Sequence, residues 1–409
     1  MTISSFESVT VPWQKADTAT FDRPFGFYIH VPFCTSRCGY CDFNTYALET
    51  YPGDDPIGDW VQTAQQEIRK SAEIIDRNEL EIPAVDTIFV GGGTPSLLGE
   101  RLVPLLDTVR SEFGVAKDAE ITAEANPEST SPELFDNWRE AGVTRLSLGM
   151  QSSEPRILGL LDRRHTPARA TAAIKEAIAA GFEHLNLDII YGTPGESSDE
   201  VARTLETVLE TEVDHVSAYA LTVEPGTALS RKVRRGEIPP VDEDLQASRY
   251  LAIDKILYSA GFRWYEISNW AKLGEDGTNQ AARCRHNMGY WTGGNWWAVG
   301  PGAHGYLGGV RWSIRKNPRR YAELMEAGHY PADWCEVLSP EERQEETIML
   351  QLRVAEGLPE TVLNWQQREV AEQAVEDGLA KWKGEPRALV LTRRGRLLAD
   401  GIVTNLLVA

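Results

Sequence analysis

Cys34-Thr-Ser-Arg-Cys38-Gly-Tyr-Cys41 gathers three cysteines in one short stretch. With three residues and then two between thiols, a short loop can wrap three thiolates around one metal centre. Zinc would take a fourth Cys or His close by, and the natural place for it holds Phe43. A c-type haem attachment is excluded because Asp42, not His, follows Cys41. Three thiolates on a four-iron cluster leave one iron without a protein ligand. A 4Fe-4S centre of this kind keeps a position open for a substrate or cofactor, as an open catalytic zinc site does.

Other residues are placed to serve such a centre. Tyr28 and His30, two apart on a strand-like run, share one face just before Cys34. Gly91-Gly-Gly-Thr-Pro95 is neither a dinucleotide fingerprint nor a phosphate loop, since no Gly-Lys-Ser/Thr follows. Its bare backbone does permit close approach by a ligand. Glu124, Gln151, Arg163 and Asp188 stand at or just beyond the ends of strand-like runs.

The elements that must position these residues alternate. Short β-type runs occur at 25–31, 85–90, 120–125, 144–149, 184–191 and 215–222, separated by helical periodicity at 59–75, 101–113, 132–141, 167–180 and 199–211. Such alternation predicts a parallel sheet of βα units, either open or rolled into a full or partial barrel. In both, chemistry sits at the carboxyl ends of the strands, which is where the polar and glycine-rich residues fall. After Leu221 the rhythm changes to a long helix near 245–260, a strand near 263–268 and an aromatic, Gly-rich stretch through Trp312. From about Ser339 a compact helical piece with a short hairpin closes the chain.

Composition narrows the function classes. The chain has 409 residues, with 41 Lys plus Arg against 61 Asp plus Glu, a net charge of −20. That balance opposes general nucleic-acid binding. Lys381, Lys383, Arg387, Arg393, Arg394 and Arg396 are read as a solvated surface rather than a nucleic-acid face. Five cysteines, clustered and odd in number, do not form a secreted disulfide framework. With no signal-peptide pattern and no long apolar run, the expectation is a cytoplasmic protein, peripheral to a membrane only through a protein partner.

The Cys-x-x-x-Cys-x-x-Cys loop after the first strand of a βα array resembles the radical S-adenosylmethionine (SAM) superfamily. The resemblance implies that Cys34, Cys38 and Cys41 hold a 4Fe-4S cluster whose open iron is chelated by SAM. It further implies that Gly92, Gly93 and Thr94 contact SAM, together with Tyr28, Glu124, Gln151, Arg163 and Asp188; Tyr40 and Thr222 are added more weakly. From Tyr28-Ile-His-Val-Pro-Phe-Cys34 through Asp188-Ile-Ile-Tyr-Gly192 to the C-terminal piece, the chain is similar to the branch containing oxygen-independent coproporphyrinogen III oxidases and haem chaperones.

Two features lean toward the chaperones. The oxidases carry a further cysteine where this chain has Phe43, and His286-Asn-Met-Gly-Tyr290-Trp291 matches an H-N-x-x-Y-W haem signature. The resemblance makes His286 the axial haem ligand, since a neutral imidazole suits haem iron; Trp291, Trp296 and Trp297 against the porphyrin face, and Cys284 or His304 as second ligand, are read from the neighbouring sequence rather than from the resemblance. Haem-acceptor proteins such as respiratory enzymes and an electron donor are the implied partners. The expected architecture is α/β, a partial (β/α)6 barrel of radical SAM type with an aromatic-rich extension and a small winged-helix-like C-terminal domain. Its expected divisions are a tail (1–20), the barrel core (21–260), the haem or substrate-binding extension (261–334) and the C-terminal domain (335–409).

Overall fold

The computed structural model describes residues 8–163 and 166–409. Residues 1–7 of the expected tail lie outside the described residues. Six strands pair side by side in parallel and in chain order: β1 (Phe25–Val31), β2 (Val85–Gly92), β3 (Val115–Ala125), β4 (Arg145–Gln151), β5 (His184–Tyr191) and β6 (His215–Ala220). Helices α1 (Pro56–Arg77), α2 (Leu102–Phe113), α3 (Pro132–Glu140), α4 (Pro155–Leu160), α5 (Pro167–Ala179) and α6 (Ser198–Leu209) fall between them.

Local chemistry sets their ends. Asp55 caps α1 by accepting from Gly58 N, with Pro56 in the first turn, and Trp60, Val61, Ala64, Ile68 and Ile75 form the buried stripe behind it. Ser197 and Glu200 form a reciprocal capping box on α6. Phe27, Ile29 and Val31 of β1 are fully buried in the core, while Gly26, Tyr28 and His30 take the opposite face. All seven residues of β4 are buried, as expected for a parallel strand covered on both sides.

The sheet is larger than the expected barrel. Strands β7 (Phe262–Glu266), β8 (Asn269–Lys272), β9 (Asn295–Val299), β10 (His304–Leu307), β11 (Val310–Ile314) and β12 (Ala332–Val337) extend it on both sides. The order is β12-β11-β10-β9-β1-β2-β3-β4-β5-β6-β8-β7. Strand β9 runs parallel to β1, from Phe25 opposite Asn295 to Ile29 opposite Val299. Helices α7 (Ala228–Arg234), α8 (Glu243–Ser259), α9 (Arg285–Trp291) and α10 (Pro318–Glu326) complete this part.

The described part of the expected tail contributes to the core. Trp13 is buried, stacked on Trp297 at 4.9 Å and edge-on to Trp312 at 4.7 Å. Trp297 is therefore filled in from the N-terminal side and presents no face to a porphyrin. At the other end, helices Pro340–Gln351, Trp365–Glu376 and Ala399–Leu407 surround a separate core that includes Ile348, Leu352, Leu389, Ile402 and Leu406. A three-stranded sheet joins them, with β15 (Ala388–Leu391) between β13 (Leu358–Pro359) and β14 (Ala380–Lys383). This unit is tied to the barrel by Asp254 of α8, which accepts from Trp270, Arg393 and Arg396. No helix of the described residues is long and apolar enough to cross a membrane.

Candidate cofactor cavity

Register fixes what the barrel presents inward. Tyr28 stands opposite Phe89, Phe89 opposite Thr122 and Thr122 opposite Arg145. One layer higher, Glu124, Ser147, Asn186 and His215 form a continuous row, and above it come Gly149, Asp188, Ser217 and Asn269. Because side chains alternate along each strand, these polar residues share one interior. They line a cavity of about 1090 Å³ that opens at the carboxyl ends of the strands, beneath the cysteine loop.

The loop is held at both ends. Phe33–Cys34 pairs in parallel with Tyr46–Ala47. The Asn44 side-chain amide donates to Pro301 O at 2.8 Å and Lys316 O at 2.7 Å. His30 Nε2 lies 3.0 Å from Asn44 O, which can only accept, so Nε2 carries the proton and Nδ1 accepts from the Tyr28 hydroxyl at 3.0 Å. Burial lowers the His30 pKa and keeps this tautomer neutral. The pair thus anchors the loop from below. In the middle, Gly39 N donates to Leu161 O, and a Cβ at Gly39 would meet Asp162 Oδ2 at 2.3 Å.

Cys34, Cys38 and Cys41 are free, half-buried and lining the cavity. Burial raises the Cys34 and Cys41 thiol pKa values, so metal loading must expel protons. Arg163 Nη1 lies 3.5 Å from Cys38 Sγ. No group of three such ligands among the described residues closes on a single ion. In a four-iron cluster each thiolate takes its own iron. The soft donor set and the adjacent cation fit the 4Fe-4S group.

The expected SAM residues converge on the same space. Glu124 Oε2 accepts from Gly92 N at 3.0 Å, with Gly92 at φ +107°. Gly93 and Thr94 donate to Val31 O and Phe33 O, both at 2.7 Å, and a Cβ on Gly93 would stand 2.4 Å from Phe33 O. Arg163 Nη2 donates to Gly149 O at 2.8 Å. Gln151 ends β4 at φ +65°, an uncommon conformation for a residue with a side chain and one that recurs at ligand sites. Tyr40 and Thr222 also line the cavity.

Glu124 has its pKa raised to about 8, first by burial and then by the charge of Asp188. Burial likewise raises Asp188, against hydrogen bonds from Ser217, Asn186 and Ser147. Two carboxyls short of counter-charge inside one cavity suit a cationic ligand such as the sulfonium and ammonium of SAM.

Sequence reasoning missed the row behind Asp188. Tyr265 OH donates to His215 Nε2 at 2.7 Å, and His215 Nδ1 donates to Asn186 Oδ1 at 2.7 Å. Asn186 Nδ2 then donates to Asp188 Oδ1 at 2.7 Å and Ser147 Oγ at 2.7 Å. The available signal was polar residues at alternate positions, Asn186 and Asp188, in a strand buried on both faces.

The residues expected to hold haem lie deeper, with His286 and Tyr290 lining both this cavity and a second pocket. His286 on α9 sits at the opposite, amino-terminal floor of the barrel, with Nδ1 2.8 Å from Thr87 Oγ1 and Nε2 2.8 Å from Tyr290 OH. Its ring stacks on Phe89 at 5.3 Å, and burial pushes its pKa down to about 3. Glu120 Oε1 accepts from the backbone N–H of Arg285 and His286 while Oε2 pairs with Arg145 Nε, so a buried ion pair fixes the start of α9. Cys284 is buried at this pair, 3.6 Å from Glu120 Oε1, and His304 lies at the cavity mouth. Trp296 and Tyr290 line a second pocket of about 410 Å³ on the outer side of the floor, whereas Trp291 lines neither.

A model for the radical SAM superfamily matches residues 28–208. Over 386 residues the chain is 52% identical to a protein of Mycobacterium tuberculosis named "Heme chaperone HemW", covering 94% of this chain and 95% of that one. The chain belongs to the HemW family. A Bacillus subtilis HemW is 31% identical over 386 residues, with 92% and 97% of the two chains covered. The solved coproporphyrinogen III oxidase HemN of Escherichia coli, a radical SAM enzyme, superposes with a TM-score of 0.78 over 95% of this chain and 91% of its own. At 21% identity that likeness is one of fold, the radical SAM architecture that the resemblance of the cysteine loop implied.

Proposed function

We propose that this protein is a haem chaperone that holds a 4Fe-4S cluster and SAM and passes haem to acceptor proteins such as respiratory enzymes. The observation that carries the reading is the 52% identity to a HemW over 386 residues, 94% of this chain. Phe43, more than half exposed at the cavity mouth where the oxidases carry a cysteine, supports the same side.

Cys34, Cys38 and Cys41 would hold the cluster. When bound and reduced, that group supplies the electron that cleaves the sulfonium of SAM. Around it, Gly92 and Gly93 admit the ligand's backbone-like end, Glu124 and Asp188 offset its positive charge, and Arg163 sits against Cys38. Tyr28 and His30 hold the loop still. On the floor, burial keeps His286 neutral, and its Nε2, now hydrogen-bonded to Tyr290, would be the atom to ligate haem iron.

A second reading, oxidative decarboxylation of coproporphyrinogen III, is favoured by the depth of the cavity, which continues below Asp188 to Tyr265 and Asn287. Anaerobically reconstituted protein decides between them. Half is titrated with haem and followed by absorbance; half is incubated with SAM, reductant and coproporphyrinogen III and its products analysed. Saturable haem binding without protoporphyrinogen supports the chaperone, and catalytic decarboxylation overturns it.

A further inference from the structure

We propose that Glu67, a carboxyl on α1 outside the cysteine cavity, is a positioning residue for the cysteine loop, because one of its oxygens holds both segments that grip Asn44. The inference rests on the cluster reading for its purpose and adds what keeps the cluster's ligands in place.

Asn44 ties the loop down through Pro301 O at 2.8 Å and Lys316 O at 2.7 Å. Those two acceptors belong to different segments. Pro301 lies in the turn after β9, and Lys316 in the link from β11 to α10. Glu67 Oε2 meets both segments at once. It accepts from Gly300 N at 2.8 Å, one residue before Pro301, and from Tyr321 OH at 2.7 Å, early in α10. The turn has no slack to absorb a shift. A Cβ on Gly300 would stand 2.4 Å from His30 O, and one on Gly302 would stand 2.7 Å from Asn44 Nδ2. Movement of the Gly300 backbone therefore reaches His30 and Asn44, which are themselves joined by His30 Nε2 and Asn44 O at 3.0 Å.

The placement of Glu67 is unusual for a core position. It stands on the buried stripe of α1 between Ala64 and Ser71 and is fully buried. Its other oxygen, Oε1, has no hydrogen-bond partner among the described residues. A carboxyl buried with one oxygen unmet works against stability, so the packing of α1 does not account for it. What the side chain supplies is an acceptor for two donors. An amide oxygen can serve that purpose as well as a carboxyl, and an aliphatic side chain cannot.

The test compares full-length wild type, Glu67→Leu, Glu67→Gln, Tyr321→Phe and Asn44→Ala. Each chain is freed of iron anaerobically and labelled with iodoacetamide, and each of the five free thiols is followed separately by peptide mass spectrometry. Cys284 and Cys335 report general loosening. Iron release from reconstituted chains to a chelator is followed by absorbance. Labelling of Cys34, Cys38 and Cys41, and iron release, should both rise about tenfold in Glu67→Leu, rise less in Tyr321→Phe and stay at the wild-type rate in Glu67→Gln, with Cys284 and Cys335 unchanged throughout. Adding Asn44→Ala to Glu67→Leu should give no more than the larger single effect, since both act through the same contacts. Tyr321→Phe keeps the ring and loses only the hydroxyl, so it decides the matter if Glu67→Leu does not fold. Loop labelling at the wild-type rate in Glu67→Leu, or in Tyr321→Phe where only that chain folds, overturns the inference. Equal acceleration of all five thiols does the same, because it makes Glu67 a residue of general stability. A wild type that takes up no iron overturns the cluster reading instead, and the labelling result still stands.

Discussion

SAM binding should expel a proton from Glu124, and the pH dependence of affinity follows from that carboxyl. Without ligand its pKa is raised to about 8. A cation within about 4–6 Å lowers a carboxyl pKa by about 1–3 units, which puts the bound value near 5–7. Between the two values the bound state holds fewer protons than the free state, so affinity rises with pH, by up to about tenfold per unit, and levels off above the free value. The total change equals the shift, about 10-fold for one unit and about 1000-fold for three. Calorimetry at about pH 5.0, 5.8 and 6.6 stays about a unit or more below the range where the α-amino group of SAM titrates, near 7.7–8.0. Repeating one pH in buffers of different ionisation enthalpy counts the protons released. Glu124→Gln should flatten the profile and abolish the release. A flat wild-type profile refutes the reasoning; a slope that survives Glu124→Gln transfers it to Asp188, whose titration is coupled to it.

Serine at Cys34, Cys38 or Cys41 should remove the iron–sulfur absorption, and full iron and sulfide in any of the three variants would sink the cluster assignment. His286→Ala should lose the haem spectrum of an imidazole-ligated iron while iron and sulfide content stay at wild-type level; an unchanged haem spectrum removes His286 as ligand. Gly93→Ala places a methyl 2.4 Å from Phe33 O and should cost about 1–3 kcal/mol in denaturant unfolding and weaken SAM binding. Glu67, fully buried with its pKa raised to about 8 by burial, accepts from Gly300 N and Tyr321 OH. Its ionisation is resisted only in the folded state, so stability is full below the ordinary carboxyl range and falls as pH rises toward about 8, by at most ~1.4 kcal/mol per unit. Glu67→Gln should remove that part of the slope, and identical pH–stability curves would show that Glu67 does not titrate there.

The barrel was legible because parallel strands buried on both faces give short apolar runs, and because their carboxyl ends carry the exceptions, Gly91 to Thr94, Gln151 and Asp188. The cysteine loop was legible from spacing alone. Side-chain direction was not. Trp296 and Trp297 are neighbours on β9 and must point oppositely, yet only the packing of Trp13 shows which one enters the core. Trp13 itself sits in a single 3₁₀ turn, too short to carry a period. The row from Tyr265 to Asp188 depends on the register of three strands and on β7, contacts that no local pattern encodes. His286 was found as a motif, but its place in a wall between two spaces depends on how α9 seats on Glu120.

The pairing of β1 with β9 has a consequence for synthesis. Strand β1, which leads into the cysteine loop, hydrogen-bonds on one side to β2 and on the other to residues 295–299, more than 250 positions downstream. While the chain is being made, that second edge has nothing to pair with. At about 5–20 residues per second the interval is about 13–50 s. Over that time Asn44 also lacks Pro301 and Lys316, so the loop bearing the thiols is tethered at one side only. The nascent protein therefore passes through a stage at which its three clustered thiols are translated, accessible and not yet fixed in place, and delivery of iron and sulfide before release from the ribosome would meet a loop still able to close around its cargo.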